Sequence, residues 1–160
     1  MAKIDNLLDE YGESHQNPLN KTIHWICVPA IVISLLGLIW SIPVPAFFEA
    51  IRIGGVSLNW AILFILFALG YYFSLSVKLA AGMLLAIAAM MIAGYLMATL
   101  IPLPLWITCL LVFSLAWVGQ FYGHKVEGKK PSFLKDVQFL LIGPVWLLSF
   151  IYRKAGIRYS

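Results

Sequence analysis

The chain has 160 residues, of which 62% are apolar and only 11% are charged, and its formal net charge is +4. These proportions lie far outside those of soluble domains, so we interpret residues 1–160 as a single integral membrane domain. No GxxxxGK or GxGxxG stretch indicates a nucleotide site. A modest basic excess in such a chain is typical of Lys and Arg retained on the cytoplasmic face. Membrane lipid, and not nucleic acid, is therefore the expected partner.

The N-terminal segment, residues 3–13, has the period of an amphipathic helix. Its apolar side chains stand at i, i+3, i+4 and i+7, with acidic residues on the other faces: Ile4, Leu7, Leu8 and Tyr11. The segment is too polar to cross a bilayer, so we predict a helix retained at the membrane interface. The alternative is a helix that only covers the bundle.

A helix start is indicated at Asn17 and Pro18, because Asn is a favoured cap and Pro needs no N–H at the first helical position. A helix that begins there carries Asn17, Asn20 and His24 on one face. The apolar run from Trp25 to Trp40 continues this helix into the bilayer as the first span. His24 is therefore expected near the membrane surface, pointing into the protein.

Three further apolar runs and one shorter segment follow a loop at residues 41–58. The predicted full spans are Asn59–Val77, Leu79–Leu100 and Leu105–Tyr122, and the short last segment is Val137–Tyr152. Gly143 and Pro144 break that segment, which allows it either to cross or to return. The predicted fold is all-α: a polytopic helical membrane protein with four full transmembrane helices, a short fifth segment and the N-terminal amphipathic helix.

Small residues recur four positions apart in the third span and predict close helix packing there. The pairs are Gly82 with Ala86, Ala89 with Ala93, and Gly94 with Ala98. A lipid groove lined by this face is the alternative. Cys27 and Cys109 lie inside apolar runs without CxxC spacing, so we expect packed thiols.

The basic residues predict the orientation of the chain. With four full spans, Arg52 stands alone on one side, and the other side holds Lys3, Lys21, Lys78, Lys125, Lys129, Lys130 and Lys135. This asymmetry predicts a cytoplasmic N-terminus in a bacterial inner membrane or the endoplasmic reticulum. If the last segment returns, Arg153, Lys154 and Arg158 join the basic side, so we favour return.

The same topology predicts a metal site, because the start of the first span and the end of the fourth lie on one membrane face. His15, His24 and His124 are then able to meet. Asn20 and Gln120 each precede a histidine by one helical turn, so we expect their side chains to orient the ring nitrogens. The alternative is that the histidines are structural groups at the interface.

The chain also resembles a known family in two separated motifs. Tyr11 shortly before His15, then NPLN at residues 17–20 and IHWICVP at 23–29, form the first. QFYGHKVE at 120–127 and DVQFLLIGP at 136–144 form the second. This pattern resembles the Mpo-like membrane family, whose fungal members are Fe(II)-dependent dioxygenases of the endoplasmic reticulum. They act in the α-oxidation of 2-hydroxy fatty acids and release an acid one carbon shorter.

The resemblance implies an oxidoreductase of lipid metabolism that consumes a 2-hydroxy fatty acid and dioxygen. It marks the candidate site residues: His15, His24 and His124 as metal ligands, with Asn17, Asn20, Gln120 and Glu127 around them. For Glu127, a solvated carboxylate paired with lysine is the interpretation we favour over a base or a partner of the site. Three imidazoles leave positions on Fe(II) for a 2-hydroxy acid and dioxygen.

Other functions are compatible with the same residues. Three histidines suit zinc as well as iron, so a zinc-dependent lipid hydrolase is an alternative. Haem held between two histidines is a further one. A non-catalytic membrane protein, in which the histidines are structural or bind a regulatory metal, represents a different class. Di-iron desaturases and hydroxylases need more histidines than this chain has.

Overall fold

The structure, a computed structural model, describes residues 3–131 and 138–159, which are almost entirely helical. The elements in order are α1 (Lys3–Gly12), α2 (Pro18–Trp40), α3 (Ala46–Glu49), β1 (Arg52–Ile53), β2 (Val56–Ser57), α4 (Trp60–Leu75), α5 (Val77–Leu100), α6 (Leu105–Glu127) and α7 (Phe139–Lys154). The strands form one antiparallel pair that joins Arg52 to Ser57 and Ile53 to Val56. The fold is therefore nearly all-α, as predicted.

Within the described residues, three helices, α2, α5 and α6, are long and apolar enough to cross a membrane. The helix α4 is apolar but has only 16 residues, about 24 Å at 1.5 Å per residue. The predicted second span is shortened at both ends by capping. Asn59 accepts a hydrogen bond from the backbone N–H of Ile62, and Ser76 takes an extended conformation that separates α4 from α5.

The predicted start of α2 is confirmed. The Asn17 side chain accepts a hydrogen bond from the backbone N–H of Leu19, at 2.9 Å, and Pro18 is the first helical residue. At its C-terminal end, α6 continues past the predicted end at Tyr122 as far as Glu127. Gly128 then ends the helix with a φ of 71°. This extra turn holds His124 on the helix.

The helices α2 and α6 approach closely because glycines take the contact positions. A Cβ atom at Gly119 would lie 2.6 Å from Cys27 Sγ, which is too close for an unstrained contact. Three glycines each face a side chain of the other helix: Gly37 against Cys109, Gly119 against Cys27, and Gly123 against Asn20. Both cysteines are free thiols, as expected. We call the end of the bundle at Asn20 and Gly123 the histidine end.

Only part of α5 packs as its small residues predict. Gly82 lies against the side chains of Tyr152 and Leu148, so the packing interpretation is confirmed there. At Gly94 it is wrong, since nothing lies within 4 Å of a Cβ placed at that position. Gly94 and Ala98 instead line an apolar groove of about 280 Å³ between α2 and α5. The groove alternative therefore describes this half of the helix.

Two helices cover the histidine end. The predicted apolar face of α1 is buried, including Ile4 and Tyr11, and α1 packs on α7. This contact favours the alternative in which α1 covers the bundle.

Both ends of α7 bond to residues 71–78. The Tyr72 hydroxyl donates to Leu141 O at 2.9 Å near the start of α7, and the Tyr152 hydroxyl near its end donates to Lys78 O at 2.8 Å. From the sequence we also expect Asp136, with Lys135, to cap this last helix, and both residues lie outside the described residues.

Candidate metal centre

The three histidines lie together in the interior. His15 follows α1 in a turn, His24 stands on the second turn of α2, and His124 stands on the last turn of α6. Their exposed fractions are 0%, 1% and 5%. One nitrogen from each ring lies within 4.8 Å of the others. The structure therefore brings the three predicted residues together.

Backbone carbonyls orient two of the rings. His15 Nδ1 lies 2.6 Å from Tyr11 O, and His24 Nδ1 lies 2.9 Å from Asn20 O. A carbonyl oxygen only accepts, so Nδ1–H donates in both rings and each Nε2 keeps its lone pair. The expected orienting group for His24 was the Asn20 side chain. The correct group is the Asn20 carbonyl, because it already lies one helical turn before the ring.

The two lone pairs face each other at short distance. His15 Nε2 and His24 Nε2 are 2.8 Å apart in the interior. Two acceptors at this separation repel unless a cation lies between or beside them. Two imidazole nitrogens bound at right angles to one ion at about 2.0–2.1 Å would be about 2.9 Å apart. The donor set therefore fits a divalent transition metal.

The third ring supports the same interpretation. His124 Nδ1 is buried and has no hydrogen-bond partner among the described residues. Gln120 was expected to orient this ring, but no hydrogen bond joins its amide to His124 in the structure. Gln120 instead lines the cavity beside His24 and His124. The side chain points into that cavity because it shares the helix face with His124 at i, i+4.

Glu127 connects the loop of His15 to the helix of His124. Its carboxylate accepts from the backbone N–H of Gln16 at 2.7 Å and of Asn17 at 2.8 Å. It also accepts from Asn20 Nδ2 at 3.1 Å. The carboxylate is half-exposed, but among the described residues its hydrogen bonds come from these amide groups and not from the expected lysine. Asn17 itself serves as the cap of α2.

Sequence reasoning did not assign a role to two aromatic residues at the site. The Tyr11 ring stacks on His15 with 4.2 Å between centroids and 12° between planes. Trp146 lies 5.1 Å from the same imidazole. Burial, with the neighbouring His24 ring, lowers the pKa of His15 to about 3. His15 is therefore neutral at pH 7, which is the form that binds metal. The position of Tyr11, four residues before His15, was the available signal.

A small cavity of about 50 Å³ adjoins the histidines. Its polar boundary includes Tyr11 and Gln120, and the rest is mainly apolar, with Val32, Leu140 and Pro144 on one side. The head of a small substrate placed here meets His24 and His124 directly. The apolar walls limit the access of water.

These features define a class: a helical protein, consistent with an integral membrane protein, with a buried three-histidine cluster that can hold a metal ion. Residues 1–155 match the model of the family described as 2-hydroxy-palmitic acid dioxygenase Mpo1-like. The chain belongs to this family. No curated protein and no solved structure matched it.

Proposed function

We propose that this protein is an Fe(II)-dependent dioxygenase that converts a 2-hydroxy fatty acid into the acid one carbon shorter. The observation that carries the proposal is the pair of Nε2 atoms of His15 and His24, 2.8 Å apart with both Nδ1 atoms engaged by carbonyls. Such a pair is suited to a metal and not to an apolar core. Membership of the family named for 2-hydroxy-palmitic acid supports the substrate class.

Each residue at the site has a separate task in this proposal. His15, His24 and His124 hold the metal. The carbonyls of Tyr11 and Asn20 fix two of the rings, which improves their basicity as ligands. Iron, when bound, supplies sites for the adjacent oxygens of the substrate and redox chemistry toward dioxygen.

The cavity residues Tyr11 and Gln120 would position the substrate head. Both line the space beside His24 and His124, and both carry groups able to donate hydrogen bonds to a carboxylate. The apolar walls would exclude water from the reacting carbons. Asn17 and Glu127 would act at a distance, by holding the loop of His15 in place.

The proposed reaction balances without a further reductant. The 2-hydroxy acid and dioxygen give the shorter acid, carbon dioxide and water. The bond between C1 and C2 breaks, C2 is oxidised from the alcohol to the carboxylic acid, and dioxygen accepts all four electrons. One substrate and one dioxygen are therefore sufficient for each turnover.

An assay started by adding oxygen to anaerobic protein tests the reaction. We expect iron-loaded protein to convert 2-hydroxypalmitate to the acid one carbon shorter, detected by mass spectrometry. The 3-hydroxy isomer should be a poor substrate, because its two oxygen groups would form a larger chelate ring. Turnover with zinc, or equal turnover of both isomers, would contradict the proposal, since zinc has no redox chemistry. Hydrolysis of a lipid ester would then be the activity to examine.

The orientation in the membrane is a second part of the proposal: four crossings, with the histidine end cytoplasmic. Contacts at the two ends of α4 support this. Trp60, the first residue of α4, bonds to Pro43 O just after α2, and Tyr72, in its last turn, bonds to Leu141 O at the start of α7. A helix shorter than the bilayer core of about 30 Å is accommodated by local thinning. The hydrogen bonds of Ser76 and Lys78 to the carbonyls of Tyr159 and Arg158, beyond α7, support a C-terminus that returns to the same side.

Cysteine labelling tests this orientation. The probes are cysteines placed at exposed positions. In protein lacking Cys27 and Cys109, we expect Gln16→Cys and Lys129→Cys to react from the cytoplasmic side and Arg52→Cys from the other side. Reaction of Gln16→Cys and Lys129→Cys from opposite sides would contradict four crossings.

A further inference from the structure

A second, larger cavity lies next to the histidine cavity. It measures about 440 Å³ and lies between α2, α4, α5 and the start of α7. Val32, Leu140 and Pro144 border both cavities. The two cavities therefore adjoin at these three apolar side chains. An elongated ligand with its head at the histidines would extend past them into the larger space.

The larger cavity is suited to hydrocarbon. Its wall is formed mainly by apolar side chains such as Phe64, Ala68 and Ile87. The hydroxyl groups on the wall bond to protein atoms, since Tyr71 donates to Gln138 Oε1 and Tyr72 donates to Leu141 O. No polar group is thus required from the ligand along this stretch. The volume falls within the range of about 300–1,000 Å³ typical of small-molecule sites.

The other hollows are less suitable. The groove at Gly94, about 280 Å³, shares no lining residue with the histidine cavity among the described residues. A hollow of about 120 Å³ does border Val28 and Pro144, but it is smaller than the typical range. A larger hollow, about 760 Å³ around the loop of residues 40–59, shares no lining residue with the histidine cavity within the part of the chain that the structure describes. Of these spaces, only the 440 Å³ cavity both shares lining residues with the histidine cavity and falls within the typical size range.

The position of Phe67 indicates how a chain would enter. This residue lines the larger cavity, and its side chain is 67% exposed on the outer face of α4. If α4 faces lipid, the opening lies within the hydrocarbon layer. A fatty chain would then pass from the bilayer into the cavity without crossing water.

We propose that this cavity, which we call the tail site, holds the acyl chain of the substrate while its head lies at the histidines. The proposal rests on the proposed function for the identity of the head group. It adds that residues of α4, remote from the metal, set the preference for chain length. The bulk of the side chain at Ala68, which is only 4% exposed, is the simplest control of the available length.

Photocrosslinking tests the tail site without any activity. The probe is a sixteen-carbon 2-hydroxy acid with a diazirine near its methyl end, irradiated in the absence of oxygen with iron-loaded wild-type protein in lipid nanodiscs. We expect labelled peptides from residues 64–72, and an excess of unlabelled 2-hydroxypalmitate should remove the label. Labelling confined to residues 90–98, or labelling that the competitor does not reduce, would overturn the proposal and indicate a bulk lipid contact.

A chain-length comparison gives an independent measurement in active protein. Ala68→Phe removes space for two or more methylenes, so the kcat/KM ratio of 2-hydroxypalmitate to 2-hydroxyhexanoate should fall by about tenfold or more. Iron content should remain that of the wild type. Ala98→Phe, which adds the same bulk in the separate groove, should leave the ratio unchanged. An unchanged ratio in folded Ala68→Phe protein would overturn the tail site.

The two proposals are separable. If the protein shows no oxidation, but residues 64–72 carry a label that the competitor removes, the tail-site proposal stands and the dioxygenase proposal fails. If the protein oxidises the substrate, but the label lies at residues 90–98, the dioxygenase proposal stands and the tail-site proposal fails. If Ala68→Phe protein does not fold, the labelling of wild-type protein alone decides.

Discussion

The two ends of the helical bundle bury different kinds of groups. At the histidine end, five polar side chains are almost fully buried: His15, Asn20, His24, Gln120 and His124. The cavity that adjoins three of them, His24, Gln120 and His124, measures only about 50 Å³. Toward the other end, α2 and the second half of α5 enclose a groove of about 280 Å³ with an apolar lining. Gly123 contacts Asn20 closely, whereas Gly94 has open space beside it.

The difference in packing follows from the surroundings that the side chains at each end would have if the helices were packed loosely there. A buried polar group without its partner raises the free energy of the folded state, so the histidine end is most stable when its polar groups are held close to their partners. Apolar side chains that face lipid meet surroundings as apolar as a helix. The second half of α5 has no comparable need for close packing. The glycine contacts of α2 with α6 are close along the whole pair, at Gly37, Gly119 and Gly123, whereas the second half of α5 is packed loosely at Gly94.

Of the changes that test the difference between the two ends, removal of a histidine should have the largest effect. We expect His24→Ala to lower the affinity for iron or zinc by more than about 100-fold, beyond the range for groups that only orient a ligand. Metal analysis of purified protein measures this loss. Thr22→Ala, on an exposed part of the same helix, is the control. Unchanged metal content in folded His24→Ala protein would remove the histidines from the proposed site.

Releasing the loop of His15 should have a smaller effect. Glu127→Ala removes the acceptor of three hydrogen bonds, and we expect metal affinity to fall by about 10- to 100-fold. Glu127→Gln should lie between this variant and the wild type, because one amide oxygen still accepts. The exposed Glu13→Ala is the control of matched charge. If Glu127→Ala and Glu13→Ala bind metal equally, Glu127 does not position the loop.

Glycine substitution compares the packing of the two ends. Gly119→Ala forces a methyl group against Cys27 Sγ, so we expect a loss of about 1–3 kcal/mol, read from thermal unfolding in detergent. Gly94→Ala, where space is open, should be neutral or stabilising by up to about 1 kcal/mol. Cys27→Ala should restore most of the stability lost in Gly119→Ala protein. Equal losses at Gly119 and Gly94 would contradict the difference in packing.

Much of the site follows from local features of the sequence. The Asn17 and Pro18 pair sets the start of α2, and this start sets which face carries His24. The spacing of four residues from Asn20 to His24 predicted that the Asn20 side chain orients the ring, whereas the structure has the Asn20 carbonyl there. Tyr11 was recognised only as a residue shortly before His15, and both its carbonyl and its ring contact that imidazole. Spacing brings groups near one another, but it does not select the atom that accepts the hydrogen bond.

Hydropathy and helix periodicity determined the nearly all-α fold, the amphipathic α1 and the expectation that three histidines share one end, because these properties depend on neighbouring residues. The tertiary structure alone decided which contacts join remote residues. Glu127 and Gln16 are 111 positions apart, and no local pattern predicts their hydrogen bond. Likewise, Gly82 and Gly94 have similar surroundings in sequence, yet only Gly82 meets α7. The physical reason is that close contact depends on the position of a second helix, which the residues around a glycine do not encode.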